Sequence, residues 1–257
     1  MNAQVILGDC LEVMPTLPTQ SVDMILADLP YGTTACAWDS VVPFAALWEQ
    51  YERLIKPNGA IVLTAAQPFT TALIASRLEL FKYCWIWEKS KGSDFLNAKN
   101  KPVRLHEEVC VFSLGTTANK SPRRMAYYPQ GLVHNPKYHY RPGVEMKDGG
   151  VIGTRPSHKR GYETEWENYP TSILRFANPN NDLEHPTQKP VALFEYLIRT
   201  YTQPGDVVLD NTAGSGTTGV AAIQCGRVPI LIERDEKYHA IAQRRVRHAQ
   251  PALLGVS

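Results

Sequence analysis

Asp210-Asn211-Thr212-Ala213-Gly214-Ser215-Gly216-Thr217 lies between a short apolar run, residues 207–209, and a helical pattern over 217–224. A strand that ends on an acid, followed by a glycine loop opening a helix, is the start of a βαβ unit. The next apolar run, 229–232, ends on Glu233, and an amphipathic pattern over 236–248 closes the unit. Just upstream, Pro190 suits the first turn of a helix over 191–200. The front of the chain has the same rhythm. Runs at 5–7 and 22–27 read as strands, the second delivering Asp28 at its carboxyl end. Apolar positions 44, 47, 48, 51, 54 and 55 mark a helix that Pro57-Asn58-Gly59 stops. A strand at 61–65, a helix at 69–78 and strands at 83–87 and 109–112 follow. Strands alternating with helices predict an α/β fold with a doubly wound, mostly parallel sheet.

Between 113 and 184 the alternation fails. Eight prolines fall between 122 and 186, and no long periodic segment is present. The chain therefore divides into 1–112, an insertion over 113–184 with its own irregular fold, and 185–257. Residues 113–162 hold nine Lys/Arg against Glu145 and Asp148, although the whole chain is only +2. Lys120, Arg123, Arg124, Lys137, Arg141, Arg155, Lys159 and Arg160 are interleaved there with tyrosines 127, 128, 138, 140 and 162. Phosphate contacts and base stacking need that combination. A solvated loop region would carry it too.

Composition is that of a folded protein, 44% hydrophobic and 20% charged over 257 residues. No apolar run approaches the roughly 18 residues of a membrane span. No basic segment followed by an apolar one opens the chain. Cysteines 10, 36, 84, 110 and 225 are odd in number and include no CxxC pair. That argues against a disulfide framework or a zinc site, so no metal is expected and a reducing cytoplasm is the expected location.

Gly214 to Gly219 is literally GxGxxG, so a dinucleotide site is one reading. Only 24 residues follow Glu233, enough for one helix, so a nicotinamide half cannot be built downstream. The same physics serves S-adenosylmethionine: glycines let the backbone approach, and Glu233 grips a ribose diol. In His185-Pro186-Thr187-Gln188-Lys189-Pro190, the Thr187 hydroxyl, Lys189 and the positive helix N-terminus can receive the cofactor's carboxylate. A proline-shaped helix start with a surface lysine is the other reading.

Asp28-Leu29-Pro30-Tyr31 sets a carboxylate, a stiff turn and an aromatic ring side by side. The lone pair of a base's exocyclic amine is delocalised into the ring. Two acceptors on its N–H bonds, the Asp28 carboxylate and the Leu29 carbonyl, would localise it and stabilise the positive charge that develops on transfer. Tyr31 can stack on the base once it has left the duplex. Out of context the tetrapeptide is a strand-end turn.

Taken together, these motifs resemble the β class of DNA amino-methyltransferases, in which the catalytic motif precedes the cofactor motif with the target-recognition region between them. The resemblance covers about 1–112 and 185–248. Asp28 to Tyr31 corresponds to the family's Asp-Pro-Pro-Tyr element, 185–190 to the motif preceding the cofactor strand, and 210–217 to its Asp-Pro-Phe-x-Gly-Ser-Gly-Thr loop. Gly8-Asp9-Cys10 resembles the motif that meets the cofactor's adenine, Asp9 accepting from its amino group. Leu29 stands where the family has proline, and Asn211-Thr212 where it has Pro-Phe, removing an apolar wall beside the cofactor. The resemblance implies a circularly permuted, Rossmann-like methyltransferase fold and S-adenosylmethionine as methyl donor, spent on N6 of adenine in double-stranded DNA. It also implies a homodimer and admits a cognate restriction nuclease. Arg104, His106 and Glu107 fall at a place near the target base in the family, although each alone also reads as ordinary surface charge; Trp38 lies in a loop that can close over the base, or staples a helix start. Cytosine-N4 methylation, a non-catalytic DNA-binding module and an enzyme acting on RNA or a protein amide are the rival readings.

Overall fold

A computed structural model describes residues 2–33, 40–141, 162–179 and 188–250, the side chains of 136–141 and 162–164 excepted. Ten strands are described: β1 (Gln4–Leu7), β2 (Val22–Asp28), β3 (Ile55–Ala65), β4 (Phe81–Ser93), β5 (Arg104–Phe112), β6 (Val133–Arg141), β7 (Tyr162–Glu167), β8 (Ile173–Phe176), β9 (Val207–Asp210) and β10 (Val228–Glu233). The α-helices are α1 (Cys10–Val13), α2 (Phe44–Leu54), α3 (Phe69–Ser76), α4 (Val191–Tyr201), α5 (Thr217–Gln224) and α6 (Glu236–His248). Among the described residues no helix is long and apolar enough to cross a membrane.

Eight strands form one sheet in the order β1-β10-β9-β2-β3-β5-β4-β8. Strands β1, β10, β9, β2 and β3 pair in parallel, and β5 runs antiparallel between β3 and β4. This is the doubly wound, mostly parallel sheet expected from the alternation. β2 shows why its strand reads as an apolar run from Met24 to Ala27. Ile25 and Ala27 pack with Leu47, Tyr51 and Leu54 of α2 on one face. Met24 and Leu26 pack with Leu193, Leu197 and Ile198 of α4 on the other. Successive side chains point to opposite faces, and both faces are buried.

Pro57-Asn58-Gly59 does not separate helix from strand. α2 ends at Leu54 and β3 begins at the next residue, not at 61. Pairing jumps from Val22↔Ile55 to Met24↔Ala60, so the tripeptide sits in a bulge where the missing proline N–H costs no ladder bond. A Cβ at Gly59 would lie 2.7 Å from the Asp23 carbonyl oxygen, so only glycine fits.

The expected insertion, 113–184, is wider than the compact unit that stands apart, Pro129–Thr171; the rest of the chain forms the other unit. Residues 113–128 return to the sheet. Met125 is buried among the α4-side core, Ala126 N–H donates to the Asn58 carbonyl (2.8 Å), and Tyr128 N–H donates to the Thr200 carbonyl (2.7 Å). On the far side of the insertion, β8 pairs in parallel with β4. Within Pro129–Thr171, β6 and β7 form an antiparallel pair.

Candidate active site

β2 and β9 are neighbours, in register at Met24↔Val208 and Ile25↔Leu209. Their carboxyl ends therefore carry Asp28 and Asp210 to the same edge of the sheet, as parallel pairing requires. The two motifs, almost two hundred residues apart in sequence, line one cleft of about 530 Å³ there. The Thr212 hydroxyl donates to the Asp28 backbone carbonyl at 3.2 Å, joining glycine loop to tetrapeptide directly.

Asp28 is the centre of a polar cluster. Its Oδ1 accepts from the Tyr31 hydroxyl (2.9 Å) and from the Thr64 hydroxyl. Its Oδ2 accepts from Lys189 Nζ at 2.7 Å. The same ammonium lies 3.5 Å from Glu107 Oε2, and Glu107 Oε1 accepts from Lys89 Nζ at 2.8 Å. Two carboxylates and two ammonium groups thus alternate along the cleft wall, with both lysines buried. Burial pulls Lys189 down, but Asp28 and Glu107 outweigh it and hold the ammonium above the ordinary lysine value. Burial likewise raises Glu107, yet Lys189 and Lys89 together leave it below the usual carboxylate range. Burial, then Asp28 and Glu107, pushes the Tyr31 hydroxyl well up, so it stays neutral and donating. Phe69 stacks on the Tyr31 ring with centroids 5.0 Å apart, and Lys189 Nζ is 5.7 Å from its centre. Leu29 is buried in the core, which pins the turn.

On the cofactor-motif side, Asp210 is buried and commits both oxygens to the loop, Oδ1 to Thr212 N–H (3.0 Å) and Oδ2 to the Thr218 hydroxyl (2.5 Å). It shapes the loop. Asn211 accepts from the Tyr51 hydroxyl at 2.6 Å. Glu233 takes Gly214 N–H on one oxygen (2.7 Å) and Asp235 N–H on the other (2.9 Å). Gly216 has φ +79°, and a Cβ there would lie 2.9 Å from Ala242 Cβ of α6. Left-handed backbone and close helix approach both demand glycine. Cys10, Ala213, Ser215 and Thr217 line the same cleft, as does Asp9, which caps α1 by accepting from Leu11 N–H at 2.8 Å.

Burial, with Asp28 and Glu233 adding a little, raises Asp210 to about 7. A carboxyl raised in the fold stabilises it fully only below its unfolded value, near 3.8, and that stability is lost as pH rises through about 7. Asp210→Asn removes the titration while keeping partners for Thr212 and Thr218. We expect the melting temperature of the native protein to fall relative to Asp210→Asn between pH 5.5 and pH 8. A constant difference across that range would show that Asp210 is ionised throughout.

Trp38, Thr187, Arg155, Lys159 and Arg160 lie outside the described residues, and Lys137 and Arg141 are placed only as backbone of β6. Lys120, Arg123 and Arg124 do not belong to the Pro129–Thr171 unit. β5 runs away from the cleft, from Glu108 opposite Ala65 to Phe112 opposite Ile61, and the segment following it packs at the opposite edge of the sheet from Asp28. Arg104 pairs with Ser93 at the rim of the cleft, and exposed His106 is 3.9 Å from Glu108. Lys89, Thr64 and Tyr51 were not expected; Glu107, expected beside Arg104 and His106, sits in the cluster between Lys89 and Lys189. A period-two signal was present: Trp85, Trp87 and Lys89 share one face of β4, and Glu107 shares the face of buried Val109 and Val111 on β5.

The chain is 26% identical to the type II methyltransferase M.HpaI of Haemophilus parainfluenzae, over 96% of its own length and 74% of that protein's. It is 28% identical to the DNA adenine methyltransferase YhdJ of Escherichia coli K12, over 94% and 82%. Its fold matches the M1.HpyAVI–SAM complex with a TM-score of 0.62 at 23% identity, covering 95% of this chain and 98% of that one. The cytosine-N4-specific PvuII DNA methyltransferase matches with a TM-score of 0.67 at 17% identity, covering 95% and 86%. Residues 22–244, which span both motifs and everything between them, match the model of the N6/N4 DNA methylases, and the chain belongs to that family.

Proposed function

We propose that this protein transfers the methyl group of S-adenosylmethionine to N6 of an adenine extruded from double-stranded DNA. The observation that carries the reading is the placement of the Asp28 carboxylate beside the glycine loop in one cleft. The residues fit the cofactor. About 530 Å³ lies within the range of about 300–1,000 Å³ usual for small-molecule sites. Gly214 and Gly216 both have positive φ and let the backbone approach a ligand, and Glu233 offers lone pairs beyond the two it uses. When bound, the cofactor supplies a sulfonium methyl electrophile.

The chain's own groups prepare the nucleophile. A carboxylate has about four lone-pair sites, and Tyr31, Thr64 and Lys189 occupy three on Asp28. The fourth accepts one amino N–H, and the Leu29 carbonyl accepts the other. Lys189, itself held by Glu107, fixes the carboxylate in place through a charge-assisted hydrogen bond. The pair also changes the role expected for Lys189: its ammonium is committed to Asp28 and Glu107, so we assign it to the catalytic carboxylate and not to the cofactor. Adenine is favoured over cytosine by aspartate at position 28, through the resemblance, and by similarity to YhdJ. The basic segment within Pro129–Thr171 is the target-recognition region in this reading. A homodimer belongs to it through resemblance, which also admits a restriction nuclease partner; a cytoplasmic location rests on the cysteine usage.

The test is incubation with tritiated cofactor and plasmid, followed by digestion to nucleosides. Label in N6-methyladenine is expected. Label in N4-methylcytosine would overturn the base assignment, and unlabelled DNA the enzyme itself.

A further inference from the structure

We propose that the hairpin joining β4 to β5 is a DNA wedge: Phe95 and Leu96 enter the base stack beside the extruded nucleotide while Lys91, Lys99 and Arg104 hold flanking phosphates. The inference rests on the methyltransferase reading and specifies how its duplex is opened.

The hairpin starts at the cleft. Lys89 and Ser93 line it, Ser93 pairs with Arg104, and residues 94–103 project beyond that pair. Leu96 is fully exposed and Phe95 is 66% exposed. Two adjacent apolar side chains in water at the tip of a hairpin have no role in packing the fold. Nor is the tip slack. Asp94 adopts a left-handed conformation, φ +75°, its carboxylate accepts from Asn97 Nδ2 at 2.6 Å, and Lys101 pairs with it. A single 3-10 turn, Phe95–Asn97, follows, and Asn100 N–H donates to the Asn97 carbonyl at 2.8 Å. The turn satisfies its own polar groups and presents the two apolar ones outward.

Charge selects the partner. Residues 91–104 carry four Lys/Arg against one acid, Asp94, which is spent inside the turn. A basic collar around an apolar tip suits a polyanion whose interior is apolar. A duplex at the cleft has to release one base, and unstacking costs a few kcal/mol. Apolar side chains inserted between base steps fill the gap left behind.

The experiment uses the full chain and a duplex bearing its methylated site, mapped beforehand by sequencing. In Phe95→Ala/Leu96→Ala, kcat/KM on the paired duplex should fall at least about tenfold, with cofactor affinity and melting temperature unchanged. Placing a mismatch opposite the target base makes extrusion cheap and should restore most of that loss. Salt dependence of DNA binding should keep its slope in this variant and lose about one to two units in Lys91→Ala/Lys99→Ala. Leu96→Ser alone, at a fully exposed position, repeats the test should the double variant fold poorly. Unchanged kcat/KM, or an equal loss on paired and mismatched duplexes, overturns the wedge. So does a loss that accompanies a change in oligomeric state, since the tip would then be a contact between copies. A native protein that methylates no DNA overturns the parent reading instead, whatever the variants do.

Discussion

Asp28→Ala is expected to lower kcat for methyl transfer by about 10³-fold or more while leaving the cofactor dissociation constant nearly unchanged. Loss of one preorganised electrostatic group typically costs about 10²–10³ in kcat, and this change also frees Lys189 from its 2.7 Å partner. Tyr31 and Thr64 lose the oxygen they share, so the ring and the β3 hydroxyl that frame the target site lose their anchor. The cofactor side is insulated, because the glycine loop is held by Asp210, Tyr51 and Glu233. Its link to the tetrapeptide runs through the Asp28 backbone carbonyl, which alanine retains. Single-turnover kinetics and calorimetry separate the two quantities. A variant with native turnover would remove Asp28 from the chemistry; one that binds no cofactor would mean the two halves are not independent.

The sheet was legible because strands buried on both faces leave apolar runs, and β2 and β9 do so at 24–27 and 207–209. The meeting of the two motifs depends on topology, and the parallel pairing of those strands makes it. What sequence reading missed depends on registers that local pattern does not encode. Lys89 belongs to no sequence motif, and it meets Glu107 only once β4 and β5 pair and their shared face turns inward. Residues 113–128 look like insertion because they are proline-bearing and basic. Their place in the main unit comes from one buried methionine and backbone bonds to Asn58 and Thr200, which composition cannot show. Asn211 and Thr212 read as the loss of an apolar wall. In the fold both are structural, one accepting from Tyr51 and the other donating to Asp28.

Lys189 supplies the sharpest discrimination between sequence and structure. A lysine before a helix that faces a cofactor carboxylate would, when replaced, weaken cofactor binding. A lysine set between Asp28 and Glu107 does something else. Lys189→Gln leaves two part-buried carboxylates with only Lys89 to balance them; breaking a fully buried pair typically costs about 3–5 kcal/mol, and the partial exposure of Asp28 and Glu107 lowers that cost here. We expect a lower melting temperature, a kcat reduced by about 10²-fold and cofactor affinity close to native. Lys189→Gln/Glu107→Gln removes one charge of each sign and returns the cluster to neutrality, with Asp28 and Lys89 remaining. Melting temperature should then recover most of the loss, because the uncompensated carboxylate is gone, whereas kcat should stay low, because Asp28 still lacks the ammonium that holds it. Neighbours in one charged network are non-additive in stability, so adding Glu107→Gln alone completes a double-mutant cycle that reads the coupling directly. Additive stability effects would mean that Lys189 and Glu107 act independently. A selective rise in the cofactor dissociation constant, with kcat intact, would return the lysine to the cofactor and leave Asp28 without a positioning partner.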